Sequence, residues 1–114
     1  MNSPGYYTVY PPVAQYIYAM AAWTKDIVLF SFFSKLIYLS IEVIGLMYMV
    51  RILKQLGKSP SLILWYALNP LVLVEGFGNL HIEVVMVSLL AIFYYYFLTE
   101  KMIKAGFFFA LAVN

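Results

Sequence analysis

One short stretch of this chain, residues 75–83, holds most of the side chains that could carry out chemistry. It contains two carboxylates, an amide and the single histidine of the chain: Glu75, Asn79, His81 and Glu83. Carboxylates and imidazoles bind hydroxyl groups, transfer protons and ligate metal ions. Long apolar runs lie on both sides of the stretch, and polar groups are costly to bury in a membrane, so we expect a functional site here.

Each of these side chains also has a purely structural interpretation. If a helix opens at Gly78-Asn79, Asn79 is a suitable N-cap and lies one turn from Glu83 on the same face. Glu83 would then complement the helix dipole, and the free amides would form an anion site suited to phosphate. A lone histidine such as His81 is more often a hydrogen-bonded packing residue than a ligand. Glu75, His81 and Glu83 are suitable metal ligands, but their spacing matches no established motif, so we predict no metal site and leave a divalent metal open.

The composition is typical of an integral membrane protein. Hydrophobic residues make up 65% of the chain and charged residues 11%, and the mean hydropathy is +0.89. Soluble domains are about 45–50% apolar and about 25% charged. The net charge of +2 and the lack of a basic block argue against a nucleic-acid partner, and the lack of cysteine excludes disulfides. We predict an all-α fold, a polytopic transmembrane helix bundle.

The predicted elements follow the apolar runs and form part of one transmembrane domain over residues 1–114. They are an outer loop at 1–12, an interfacial or partial helix at 13–23, and spans at 27–52, 61–78 and 79–99. Pro70 is expected to kink the 61–78 span after Asn69, because proline lacks a backbone donor and restricts the preceding residue. A further span begins at 105–114. It is shorter than the about 20 residues that a span needs, so we expect a fragment truncated at both ends.

One face of the 27–52 span is polar. The residues that share this face through three- and four-residue spacing are Ser31, Ser34, Lys35, Tyr38, Glu42 and Gly45. We expect this face to contact other helices or a polar cavity rather than lipid. Lys35 and Glu42 either have a structural role or line a substrate path.

Two basic loops predict the orientation in the membrane. Arg51, Lys54 and Lys58 lie in the first loop, and Lys101 and Lys104 lie in the second, two spans further on. The two loops therefore share a side, which the positive-inside rule makes cytoplasmic. The 75–83 stretch and the N-terminal loop then lie on the outer side.

Residues 66–81 resemble a segment of a known enzyme family. Their sequence contains an Asn-Pro-Leu stretch at 69–71 and a Glu-Gly-x-Gly-Asn-x-His motif at 75–81. Both are similar to motifs of bacterial integral-membrane glycosyltransferases of the GT-C class, mannosyltransferase-like enzymes that use polyprenyl-phosphate sugars. Tyr10-Pro11-Pro12-Val13 resembles the Tyr-Pro-Pro loop of that family, and residues 110–114 resemble the start of its next helix. Glu83 stands where the family often has Asp.

The resemblance implies an enzyme of the bacterial inner membrane. It would transfer a hexose such as mannose from a polyprenyl-phosphate donor to a glycan or lipid acceptor on the outer face. It also implies no defined cofactor, a lipid-linked sugar donor as substrate and the bilayer as a partner. The expected substrate-binding residues are Glu75, Asn79, His81, Glu83 and Tyr10. The general base is expected upstream of this chain, so the fragment alone would be inactive. The alternatives are a transporter or flippase-like module and a non-catalytic membrane scaffold.

Overall fold

The computed structural model describes residues 12–113, and every regular element in that part is helical, which confirms the all-α prediction. Tyr10 and nearly all of the predicted 1–12 loop lie outside the described residues. Six α-helices, one 3-10 turn and one π-helix follow one another along the chain. They are α1 (Pro12–Ala22), α2 (Ile27–Gln55), a 3-10 turn (Pro60–Leu62), α3 (Ile63–Ala67), α4 (Pro70–Leu73), a π-helix (Val74–Gly78), α5 (Glu83–Leu98) and α6 (Met102–Val113).

Within residues 12–113, α2 is the one unbroken helix long and apolar enough to cross a membrane. It has 29 residues, and its most apolar 18-residue stretch has a mean hydropathy of 2.0, yet only 17% of that stretch is buried. A core helix of a soluble protein would be mostly buried, so this exposed apolar surface suits lipid or further helices. The segments Pro60–Ala67 and Pro70–Gly78 make a second span if their 59° bend is counted as one broken helix.

The remaining two apolar helices are shorter than a usual span. α5 has 16 residues and α6 has 12, against the about 20 that cross a bilayer. α5 is short because its predicted first turn belongs to a different structure, described below. The predicted bundle of about three spans therefore stays a prediction.

The bend between α3 and α4 has a local cause at Asn69 and Pro70. The Asn69 side chain accepts a hydrogen bond from the Leu71 amide at 2.9 Å and so caps α4. Pro70 occupies the first turn of α4, where its missing amide costs nothing and its fixed φ suits a helix. Together they end α3 and begin α4 in a new direction.

The polar face predicted on α2 is largely the face that the structure buries. Ser34, Tyr38, Glu42 and Gly45 are buried there, and this part of the prediction is confirmed. Lys35 is exposed, although it lies seven residues before Glu42 and therefore on the same side of the helix, so burial changes along this face from one turn to the next. Tyr38 joins a core with side chains from α1, α5 and α6.

α2 and α5 cross in close contact at Gly45 and Ser88. A Cβ added to Gly45 would lie 2.5 Å from the Ser88 side chain and 2.9 Å from its Cα. Beside this contact, the Ser88 hydroxyl donates a 2.5 Å hydrogen bond to the buried Glu42 carboxylate. Small residues at such crossings are typical of helices that pack within membranes.

The basic residues of the two predicted loops lie at one end of the fold, although Arg51 and Lys54 belong to α2 and Lys104 to α6. The Arg51 guanidinium lies 5.1 Å from the centre of the Tyr48 ring on α2 and 5.9 Å from that of Tyr95 on α5. The Lys104 ammonium on α6 lies 5.5 Å from the Tyr96 ring, and the Tyr48 and Tyr96 hydroxyls are 2.9 Å apart. The 75–83 stretch precedes α5 and so lies at the opposite end of that helix.

α2 and α5 end in the same way, with one difference in sequence. After α2, the amides of Gly57 and Lys58 bond back to the carbonyls of α2, and Gly57 has a φ of +67°. After α5, Glu100 and Lys101 make the equivalent bonds, and Glu100 has a φ of +58°. Both ends form the Schellman arrangement, which favours glycine at the residue with positive φ.

Replacing Glu100 with glycine is expected to stabilise the protein by about 1 kcal/mol, because it removes the cost of a left-handed non-glycine residue. Gly57→Ala at the equivalent position of α2 should destabilise it by a similar amount. The measurement is the thermal unfolding midpoint of the solubilised full-length protein. A lower midpoint for Glu100→Gly would contradict the expectation.

Candidate functional site

A π-helix shapes the backbone of the 75–83 stretch. Its wider turn is closed by the Asn79 amide, which bonds to the Val74 carbonyl at 3.0 Å. The His81 amide then bonds to the Glu75 carbonyl at 2.9 Å, and Leu80 between them has a φ of +56°. π-helices and left-handed non-glycine residues both cluster at functional sites.

The N-cap interpretation of Asn79 is wrong. α5 begins at Glu83 after Ile82, and Asn79 instead ends the π-helix. Residues 79–81 lie outside α5, and Ile82 is its N-cap residue. Asn79 therefore does not cap the start of α5, and its side chain contacts Glu75 instead.

Gly76 allows the π-helix to lie directly against the start of α5. It is buried, and an added Cβ would lie 2.8 Å from a methyl carbon of Val84. Only glycine fits such a distance without a shift of one segment. This contact holds Glu75 and Glu83 on either side of His81.

The structure brings together all four predicted site residues that it describes. His81 Nε2 lies 3.3 Å from a Glu75 carboxylate oxygen, and His81 Nδ1 lies 3.3 Å from a Glu83 carboxylate oxygen. The same Glu75 oxygen accepts a 3.2 Å hydrogen bond from the Asn79 amide group. We call Glu75, His81 and Glu83 the trio; all three side chains remain accessible to solvent.

The trio is well arranged for hydroxyl groups and proton exchange. A neutral imidazole has one N–H, so His81 can donate to one carboxylate at a time, and an imidazolium can donate to both. The carboxylate oxygens left over accept hydrogen bonds from hydroxyls. Within residues 12–113, no three His, Asp or Glu side chains are placed to hold a metal ion, so the geometry gives the metal interpretation no support.

Two pockets of about 310 Å³ each adjoin the trio, and His81 and Glu83 line both. The first, called the apolar pocket, also contains Glu75, and its remaining lining residues are Tyr66, Leu71, Val72, Val84 and Val87. The second, called the polar pocket, is completed by Tyr18, Asn79, Leu80 and Ile82. His81 and Glu83 therefore form a shared wall between an apolar and a polar cavity.

Tyr18 and Tyr66 contribute to this site but were not among the predicted site residues. The Tyr18 hydroxyl donates to the Leu80 carbonyl at 3.1 Å and lies 3.0 Å from the Tyr38 hydroxyl, which ties α1 and α2 to the 75–83 stretch. Tyr66 lies four residues before Pro70, inside the segment that resembles the enzyme family. That position is the one sequence feature that could have identified Tyr66 as a site residue. Tyr18 has no local signal, because long-range packing alone brings it to the site.

A buried polar contact lies behind Tyr66. Glu42 is 4% exposed, and it acts electrostatically on the Tyr66 hydroxyl. In the described part of the chain, one Glu42 oxygen and the Tyr66 hydroxyl lack a hydrogen bond of good geometry. Along the same face of α2, Glu42 is buried and Lys35 is exposed.

The fold and site define a helical domain with a long apolar helix, and with a carboxylate–imidazole cluster between two cavities. Residues 6–114 match the MptA_B family, described as alpha-(1->6)-mannopyranosyltransferase, N-terminal domain. The chain belongs to this family, and the predicted resemblance to mannosyltransferases is confirmed. The searches of curated proteins and of solved structures returned no match.

Proposed function

We propose that the full-length protein transfers mannose from a polyprenyl-phosphate donor to a glycan or lipid acceptor. Membership of a mannosyltransferase family supports the transferred sugar. The observation that supports a lipid-linked donor is the apolar pocket, which Glu75, His81 and Glu83 line together with aliphatic side chains. A sugar joined to a polyprenyl chain has the same division between a polar and an apolar part.

The trio is proposed to contact sugar hydroxyls rather than the donor phosphate. Two carboxylates flank His81, and no Lys or Arg is among the described residues that line the apolar pocket. A phosphate beside two carboxylates would be repelled, whereas hydroxyl groups donate hydrogen bonds to them. The phosphate is therefore proposed to bind outside this pocket.

The reaction is proposed to be a substitution at the anomeric carbon of the donor sugar. The acceptor oxygen forms a bond to that carbon while the bond from the carbon to the phosphate oxygen breaks. The electron pair of the broken bond leaves with polyprenyl phosphate, and a general base takes the proton of the acceptor hydroxyl. The family resemblance implies a base upstream of this chain, so the trio is proposed to bind and orient the sugar.

The proposed location is the outer face of the bacterial inner membrane. Arg51 and Lys104 lie at the end of α5 away from the trio. If that basic end faces the cytoplasm, as the positive-inside rule favours, the trio faces outward. The exposed apolar surface of α2 would then contact lipid or the remaining helices.

The direct test is a transfer assay on membranes that contain the full-length protein. Radiolabelled mannose on decaprenyl phosphate should pass to an α-(1→6)-linked mannose oligosaccharide, and GDP-mannose should not replace this donor. Membranes of the same host without the protein are the control. Transfer from GDP-mannose alone, with none from the lipid-linked sugar, would overturn the proposed donor.

A transporter or flippase-like module and a non-catalytic membrane scaffold are the alternatives. A transporter would use Lys35 and Glu42 along one path; in the described residues Glu42 is buried and Lys35 is exposed. A scaffold gives no reason for a histidine between two carboxylates beside a pocket. Both alternatives predict no mannose transfer in the assay above.

A further inference from the structure

The polar pocket has no role in the proposed function. The apolar pocket accounts for a lipid-linked sugar, but the polar pocket on the other side of His81 and Glu83 has no assigned ligand. The two cavities have similar volumes, about 310 Å³ each. A transferase has to hold two substrates on either side of the bond that it makes.

The lining of the polar pocket differs in chemistry from that of the apolar pocket. Tyr18 and Asn79 bring a hydroxyl and an amide to it, and the aliphatic wall residues Leu71, Val72 and Val87 of the apolar pocket are absent from its lining. The Asn79 side chain is exposed and already donates to Glu75. Its carbonyl oxygen can accept a hydrogen bond from a ligand hydroxyl.

The backbone of the polar pocket is held in an unusual conformation. Leu80 has a φ of +56°, which costs an ordinary residue free energy and persists only when its surroundings enforce it. The Tyr18 hydroxyl supplies such a restraint through its bond to the Leu80 carbonyl. This shape is therefore maintained by contacts from α1 and is not a consequence of the 75–83 sequence alone.

We propose that the polar pocket is the acceptor subsite, which binds a hydroxyl-rich glycan, and that Tyr18 is a specificity-determining residue of this subsite. The proposal rests on the proposed function, because it assigns the donor sugar to the opposite side of His81 and Glu83. The acceptor hydroxyl then meets the anomeric carbon beside His81 and Glu83, which line both pockets. Tyr18 acts by keeping Leu80 in place.

The test measures the Michaelis constants of the full-length enzyme for the acceptor and for the donor, because each is assigned to a different pocket. Tyr18→Phe removes one hydroxyl and keeps the ring. It is expected to raise the KM for an α-(1→6)-linked mannose trisaccharide about tenfold and to leave the KM for decaprenyl-phosphate mannose within about twofold. The matched variant is Val87→Trp, which fills the apolar pocket and should raise the donor KM alone.

A merely structural role of Tyr18 predicts a different result. General loosening of the 75–83 stretch would raise both KM values together and lower the thermal midpoint. An acceptor KM like that of the wild type in Tyr18→Phe, or a donor KM that changes equally, overturns the assignment of the pocket.

A binding measurement tests the acceptor subsite independently of the proposed donor. Saturation-transfer NMR with the mannose trisaccharide needs no donor and no turnover. The wild type and Val87→Trp should show binding, and Tyr18→Phe should lose most of the signal. If the wild type binds the trisaccharide but uses no lipid-linked mannose, the donor assignment fails and the acceptor subsite stands. If Tyr18→Phe binds as well as the wild type, the acceptor subsite fails whatever the donor is.

Discussion

Replacing His81 with alanine in the full-length protein is expected to lower mannose transfer by about tenfold or more, an effect of about 1.4 kcal/mol on the transition state. His81 lies 3.3 Å from both Glu75 and Glu83, so its loss leaves two carboxylates without the group that separates and orients them. It also opens the wall between the two pockets. The measurement is the initial rate of transfer per amount of folded enzyme.

The carboxylates provide a matched comparison on the same scaffold. Glu75→Gln and Glu83→Gln keep shape and lose charge, so each should also reduce transfer. Glu100→Gln changes a carboxylate beyond the other end of α5 and should leave the rate unchanged. If His81→Ala and Glu83→Gln both transfer mannose at the wild-type rate, the trio is not part of the substrate-binding site.

The trio should behave as a unit if its members position one another. Residues that act together show effects that do not add. The double variant Glu75→Gln with His81→Ala is therefore expected to be little slower than His81→Ala alone. Additive losses would mean that Glu75 and His81 contact the substrate independently.

The parts of the fold that local chemistry controls could be predicted from the sequence. The break at Asn69 and Pro70 is one example, since an asparagine cap and a proline in the first helical turn act within two residues. The buried face of α2 is another, because helical spacing alone places Ser34, Tyr38 and Glu42 together. Their closeness in the sequence, within residues 75–83, brought Glu75, Asn79, His81 and Glu83 into one candidate site.

The parts that long-range packing controls could not be predicted in this way. Gly78-Asn79 reads as the start of a helix, yet the chain forms a π-helix there because Gly76 packs against Val84. The conformation of Leu80 depends on Tyr18, which lies 62 positions away in the sequence. A glycine or a tyrosine carries no local sign of such a distant partner, so the shape of the site appears only in the fold.

Replacing Gly45 with alanine is expected to destabilise the full-length protein by about 1–3 kcal/mol, because the close packing of α2 against α5 leaves no room for a methyl group. The added Cβ would lie 2.9 Å from the Cα of Ser88, and a backbone atom cannot move aside as a side-chain end can. The two helices must therefore separate. The measurement is the thermal unfolding midpoint in detergent, which should fall.

Gly106 is the matched control for this substitution. It also lies inside a helix, α6, but an added Cβ would meet nothing within 4 Å. Gly106→Ala should therefore stabilise the helix, by up to about 1 kcal/mol, through propensity alone. A thermal midpoint that falls for Gly45→Ala and rises for Gly106→Ala would show that the close contact of α2 with α5 requires glycine. Equal shifts of the two midpoints would contradict that contact.

The same substitution tests whether the crossing holds the site in place. Ser88 lies on α5, one and a half turns after Glu83, and its hydroxyl is bound to the buried Glu42. Separation of the helices would weaken this bond and move the start of α5, where Glu83 meets His81. Gly45→Ala should therefore lower transfer per folded molecule as well as stability, whereas Ser88→Ala, which removes the hydroxyl without forcing the helices apart, should affect transfer less. An unchanged rate in folded Gly45→Ala enzyme would mean that Gly76 and Tyr18 fix the position of the trio without the crossing.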